Sequence, residues 1–356
     1  MDVAIACLCA RTGQRVSLHA PSTDLSSQTF CHCDTCCWSS GMLCTSYIAL
    51  DAAPSNFDNL VQYKVPESSS TRWFCRTCGA HVFIDISDVK TGSRKFLVAA
   101  GVVEAGRFQT ERTTQLGIGS TVDGGLSLLF RETAECYGTG CFAGEEGVGL
   151  DAQNALEPAP VNSPGGDTTQ KQRRLNGRCL CGGVSYMITP PDETSKSASS
   201  PWPDLLVPYH TNSSANPDDV KWWLRANDTK YLAGLCACNS CRLAAGFPIQ
   251  SWAFVPKSNI FNQDGSPLTY GTGTMKQYES SPGVYRELCS VCGATVFWHC
   301  KERPGVVDVS VGLLRSSSGS RAEDWLDWAS GRVSFGEEAA DQGLIQILSQ
   351  KSVKIG

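Results

Sequence analysis

Two stretches decide the fold: Cys75-Arg76-Thr77-Cys78-Gly79-Ala80-His81-Val82-Phe83 and, 214 residues later, Cys289-Ser290-Val291-Cys292-Gly293-Ala294-Thr295-Val296-Phe297. Each ends in a short apolar run that reads as a strand. Working outward from each copy, the same two further blocks appear in the same order. Cys31-x-Cys33-x-x-Cys36, with Gly41 following, is matched by Cys236-x-Cys238-x-x-Cys241 with Gly246 following. Cys7-Leu8-Cys9 is matched by Cys179-Leu180-Cys181. The displacements are 172, 205 and 214 residues, so the second copy carries 33 extra residues between its first two blocks and 9 more before the third. Extra residues at such places are what surface loops absorb. The longer insert, within 190–219, is rich in Pro, Ser and Asp.

An internal repeat of this kind sets the domain count before any local reading. Between the copies the chain runs CYGTGCFAGEEGVGLDAQNALEPAPVNSPGGDTTQKQR, Gly- and Pro-rich and without periodicity, which reads as a flexible linker. The expected division is a first domain at 1–134, a linker at 135–173 and a second domain at 174–356. Within both copies the local pattern is short strands. Residues 16–18, 46–50, 82–86 and 95–99 have counterparts at 184–188, 251–255, 294–298 and 306–311. Helical patterning is sparse, and Glu323–Ala329 is the best short candidate. The expected class is mainly β.

The chain of 356 residues has 19 cysteines, 18% charged residues and a net charge of −5. An acidic chain without Lys/Arg runs has no electrostatic reason to bind nucleic acid. No apolar stretch reaches the roughly 18 residues of a membrane helix, and the start lacks the pattern of a signal peptide. The expectation is therefore a cytoplasmic protein acting on a small molecule, with no nucleic-acid or membrane partner. In that setting, closely spaced cysteines point to metal rather than disulfides.

Each copy has seven cysteines in its blocks. A four-thiolate structural zinc site and a three-thiolate site with an open position account for seven without remainder. A fourth protein ligand to the three-cysteine block is available in copy one from His32, Cys37 or Cys44. The equivalent places in copy two hold Ala237, Arg242 and Ile249. Cys37, Cys44, Cys136, Cys141 and Cys300 fall outside the pattern and read as free thiols. Trp202, Trp222, Trp223, Trp252 and Trp298 are extra aromatics of the second copy, read first as β core.

The ordered blocks resemble the glutathione-dependent formaldehyde-activating enzyme/centromere-protein-V family. The similarity rests on all fourteen block cysteines and on Gly79-Ala80 and Gly293-Ala294. It implies two zinc-pinned β-tent domains holding up to two Zn2+ each. It also implies a pairing of the blocks: Cys7, Cys9, Cys75 and Cys78, and likewise Cys179, Cys181, Cys289 and Cys292, as structural ligands. Cys31, Cys33 and Cys36, with Cys236, Cys238 and Cys241, then form the open sites. The implied activity is of the carbon–sulfur lyase type on a thiol–carbonyl adduct, with glutathione as co-substrate. His32, inside the first metal block, is the candidate catalytic acid or base, with Asp34, His81 and His299 behind it. Two other readings keep the metal: a zinc Lewis-acid isomerase, cyclase or hydrolase on a metabolite carbonyl, and a non-catalytic interaction module.

Overall fold

The computed structural model describes residues 1–19, 25–88, 91–130, 134–136, 173–203 and 215–349. The protein is mainly β, with two sheets of the same design. In the first repeat the strands lie in the order Arg112–Leu116, Ser27–Cys31, Thr45–Ala49, Arg94–Ala99, His81–Ser87, Ser70–Cys75 and Leu60–Lys64, with Ala134–Cys136 added at one edge. The second repeats that order with Leu326–Ser334, Lys230–Cys236, Gln250–Pro256, Arg303–Ser310, Thr295–Cys300, Val284–Cys289 and Met275–Ser281. Both sheets have a parallel pairing at the same place, Cys31 opposite Leu116 and Cys236 opposite Ser334, and in the first sheet Ala134–Cys136 adds a second parallel pairing with Arg112–Leu116. Most of the linker, 137–172, lies outside the described residues, as does Cys141.

The eight strands anticipated from composition all form at or within a few residues of those positions. Glu323–Ala329 does not become a helix: residues 326–334 form a strand beside Lys230–Cys236. That partner is far away in sequence, and the tertiary pairing overrides local preference. The helices that do form are short. We call Asp34–Ser40 α1, Asn239–Ala245 α2 and Gln342–Ser349 α3. Both α1 and α2 end because Gly41 and Gly246 turn left-handed (φ 82° and 87°), each amide N–H closing on a carbonyl four residues back. Glycine is the residue that takes this conformation without a Cβ penalty.

The repeats pack against each other through pseudo-symmetric contacts. The Leu8 N–H donates to Leu243 O at 3.0 Å and the Leu180 N–H to Trp38 O at 2.9 Å. The Gly101 N–H donates to Gly246 O at 2.9 Å and the Gly312 N–H to Gly41 O at 3.1 Å. A Cβ at Gly41 would stand 2.2 Å from Thr295 O, and one at Gly246 would stand 2.1 Å from His81 O. These glycines thus serve both the helix end and the approach of the other repeat. One hydrophobic core runs through the contact, joining Phe30, Phe74 and Phe130 to the second repeat's Tyr186, Trp223 and Phe297. The end of the second repeat returns to the first, where Asp341 accepts from the Thr110 N–H (3.0 Å) and from Gln28 Nε2 (2.7 Å). No helix among the described residues is long and apolar enough to cross a membrane.

Candidate metal centres

The third block is a knuckle at the end of a strand. A register shift between Trp73 and Phe74, and at the matching place between Glu287 and Leu288, is a bulge that re-aims the cysteine that follows. The Cys75 N–H then bonds Ala80 O and the Gly79 N–H bonds Cys75 O; Cys289, Ala294 and Gly293 repeat both bonds. The knuckle carries Cys75 and Cys78 towards Cys7 and Cys9, on the loop after the first strand. The result is four thiols with ligand atoms all within 4.8 Å of one another, and Cys179, Cys181, Cys289 and Cys292 form the same group. The Sγ–Sγ separations are 3.4 Å for Cys7–Cys9 and 3.5 Å for Cys9–Cys75, Cys179–Cys181 and Cys181–Cys289. A tetrahedron with zinc–sulfur bonds of roughly 2.3 Å has edges of about 3.8 Å. Contact among these sulfurs splits their acidities: Cys7 is held far below the thiol range by Cys75 and Cys78, while Cys78 is pushed far above it. A divalent cation at the centre would resolve that competition, and the donor set fits one.

Each four-thiol group is also closed by a tyrosine of the other repeat. Tyr278, from the edge strand Met275–Ser281, packs against Cys7, Cys75 and Cys78. Its counterpart Tyr63, from Leu60–Lys64, is buried; that burial pushes its hydroxyl pKa well up, and the four cysteines of the second repeat add to the rise.

The middle block forms a separate centre. Cys31 ends a strand, Cys33 precedes α1 and Cys36 lies in its first turn, so the three sulfurs converge; Cys236, Cys238 and Cys241 do the same around α2. Among the described residues no fourth ligating group joins either cluster. Cys37 Sγ instead donates to the carbonyls of His32 and Leu43 (both 3.4 Å), and burial pushes the Cys44 thiol up to about 12. His32 is fully buried. Its Nε2 shares a hydrogen bond with Gln115 Oε1 at 2.6 Å, its ring meets Phe130, and burial lowers its pKa. Asp34 opens α1, its pKa pushed up to about 6 by burial against the pull of Arg315. His81 sits in the contact between repeats, its Nε2–H donating to Ser39 O (3.1 Å), with burial pulling its pKa down to about 3. His299 pairs with buried Glu287 instead (3.0 Å).

Two arginines not singled out from sequence complete these centres. Arg72 is 2% exposed, and its Nη2 donates to Cys36 Sγ at 3.2 Å while Nη1 donates to Tyr47 Oη at 2.9 Å. Arg286 occupies the matching strand position, 3.7 Å from Cys241 Sγ through Nη2, which also donates to Ser240 Oγ at 2.9 Å. Three thiolates around a divalent cation leave one excess negative charge, and a buried guanidinium balances it. The signal was present in the repeat as Arg72-x-x-Cys75 and Arg286-x-x-Cys289.

The fold and the paired thiol clusters define a tandem β protein built around candidate metal centres. The family profile described as glutathione-dependent formaldehyde-activating enzyme matches residues 2–116 and again 219–327. Together these spans cover more than half the chain, which belongs to this family. No curated protein matches it. The second span begins after the long insert, so it omits Cys179 and Cys181, which the structure nonetheless brings to Cys289 and Cys292.

Proposed function

We propose that the protein is a zinc-dependent enzyme of the carbon–sulfur lyase type, making or breaking the adduct of a thiol such as glutathione with an aldehyde. The observation that carries this reading is the three-thiol cluster that recurs in both repeats, distinct from the four-thiol cluster and without a fourth protein ligand among the described residues. A zinc ion held by three thiolates supplies a soft Lewis-acid position with one place left for a substrate thiol, which it favours as thiolate. In the reaction the thiol sulfur bonds the carbonyl carbon and the thiol proton ends on the carbonyl oxygen; the reverse releases both.

The chain's own contribution is to fix the ligand cluster and its charge. Arg72 and Arg286 hold the third thiol of each loop, and burial keeps water from competing for it. For His32 we propose a positioning role, holding the first loop through Gln115. Its burial and lowered pKa do not suit a proton shuttle, and Ala237 stands at its place in the second repeat. We take the fourteen block cysteines as the metal ligands, 1–134 and 174–356 as the domains, and the cytoplasm as the compartment.

Exchange NMR on glutathione with formaldehyde, and with larger aldehydes, tests the reading. Adduct exchange faster than the uncatalysed rate, lost when both three-thiol clusters are changed to Ser, is expected. Turnover of a carbonyl compound with no thiol present would overturn it in favour of Lewis-acid chemistry.

A further inference from the structure

The two three-thiol clusters are built alike and presented differently. In the first repeat Cys31, Cys33 and Cys36 are all buried, and Asp34 and Thr35 between them are half-buried. The chain closes over them from two sides. Gly117, left-handed at φ 66°, follows the strand parallel to Ser27–Cys31 and lies so close that a Cβ there would stand 2.8 Å from the Cys33 nitrogen. From the second repeat, Arg315 lies over Trp38 of α1, its Cζ 3.6 Å from the ring centre, and its charge bears on Asp34. Arg72 then fixes Cys36 with a short contact.

In the second repeat the equivalent loop faces outward. Cys238 is half-buried, and Asn239 and Ser240 are exposed. Arg242, at the place of Cys37, donates through Nη1 to Gly101 O (2.5 Å) and Val103 O (2.9 Å) of the first repeat and through Nη2 to Asn239 Oδ1 of its own loop (3.0 Å). The position of Gly117 is taken by Phe335, also left-handed at φ 55°. A bulky residue holds that conformation only under constraint, and such constraint concentrates at functional sites.

We infer that the three-thiol centre of the second repeat is the one that accepts an outside ligand, a small soft donor such as a thiol, entering past Ser240, and that the first centre is closed. The identity of the ligand rests on the reading proposed above; which centre is open does not.

Cobalt-loaded full-length protein separates the two questions, because thiolate-bound Co2+ has strong absorption bands that change when a ligand is added. Cyanide reports an open position whatever the natural ligand. The spectral change on cyanide is expected in the wild type and in the variant with Cys31, Cys33 and Cys36 changed to Ser. It is expected to vanish when Cys236, Cys238 and Cys241 are changed. Ser240→Trp keeps every thiol but also removes the hydroxyl to which Arg286 donates, so Ser240→Ala is its control; the Trp variant should weaken the apparent cyanide affinity by about tenfold relative to the Ala variant. The assignment is overturned if the change survives loss of the second cluster, if both clusters respond alike, or if Ser240→Trp binds cyanide as Ser240→Ala does. A cyanide response at the second centre with no glutathione response would uphold the assignment and refute the thiol reading.

Discussion

The first and second repeats hold the same seven thiols on the same strand order, yet their surroundings diverge. Both four-thiol groups sit in a bulge-and-knuckle at the contact between repeats, each packed by the other repeat's tyrosine. The three-thiol groups share a buried arginine, but its reach differs, 3.2 Å to Cys36 against 3.7 Å to Cys241. Around the second cluster Asp34, Tyr47 and Gly117 are replaced by Asn239, Trp252 and Phe335. What is kept is therefore what a metal and a close backbone approach demand. What changes is what an incoming ligand would meet.

The comparison can be tested at the shared features first, where effects should be largest. Gly246→Ala forces a Cβ to 2.1 Å from His81 O at positive φ, whereas Gly265→Ala has the same kind of φ (84°) with nothing within 4 Å. We expect the first to destabilise by about 4 kcal/mol or more and the second by about 1–2 kcal/mol, measured by thermal unfolding. Similar losses would show that the contact between repeats yields easily.

Arg72→Met and Arg286→Met sharpen the contrast between the three-thiol centres. Each should lower metal affinity at its own cluster, by about 10–100-fold in the first repeat, the scale on which groups supporting metal ligands act. The longer contact in the second repeat should give a smaller loss; competition with a chromogenic chelator reads both. Crosswise effects follow from the tyrosines. Tyr63→Ala should speed metal release from Cys179, Cys181, Cys289 and Cys292 severalfold while sparing the first repeat's four-thiol site, and Tyr278→Ala should do the reverse. Stopped-flow release with each site followed separately would break the claim if either substitution acts only on its own repeat.

The smallest effect concerns acid. Burial holds His81 at about 3, below the ordinary histidine value near 6.5. Its unfolded form therefore takes up a proton first, and stability from this group is complete above about 6.5 and falls as pH drops towards 3. NMR should find the ring neutral at pH 5, and His81→Gln should lose less stability than the wild type between pH 6.5 and 5.

The thiol clusters were legible because ligand spacing is local. Cys-x-Cys, Cys-x-x-Cys and the glycine that follows constrain geometry within a few residues, and duplication displayed the pattern twice. Strands near those blocks were legible for the same reason. The rest depends on partners far apart in the chain. Residues 323–329 read as helix because nothing local reveals the parallel pairing with Lys230–Cys236. Arg72 and Arg286 look like ordinary strand residues until the sheet turns them towards Cys36 and Cys241. Nor does the sequence show that Gly79 and Gly293 face Leu288 and Phe74 across the contact between repeats. His32 stood out by lying inside a metal block, but alternation turns its ring into the core instead.

The central claim is that each repeat carries two distinct thiol centres for metal, and counting metal tests it most directly. Elemental analysis of the purified full chain should find about four zinc ions. It should find about three when Cys236, Cys238 and Cys241 are changed to Ser with the fold intact by circular dichroism. Two zinc ions in both proteins would contradict the account, leaving only the four-thiol groups as metal centres.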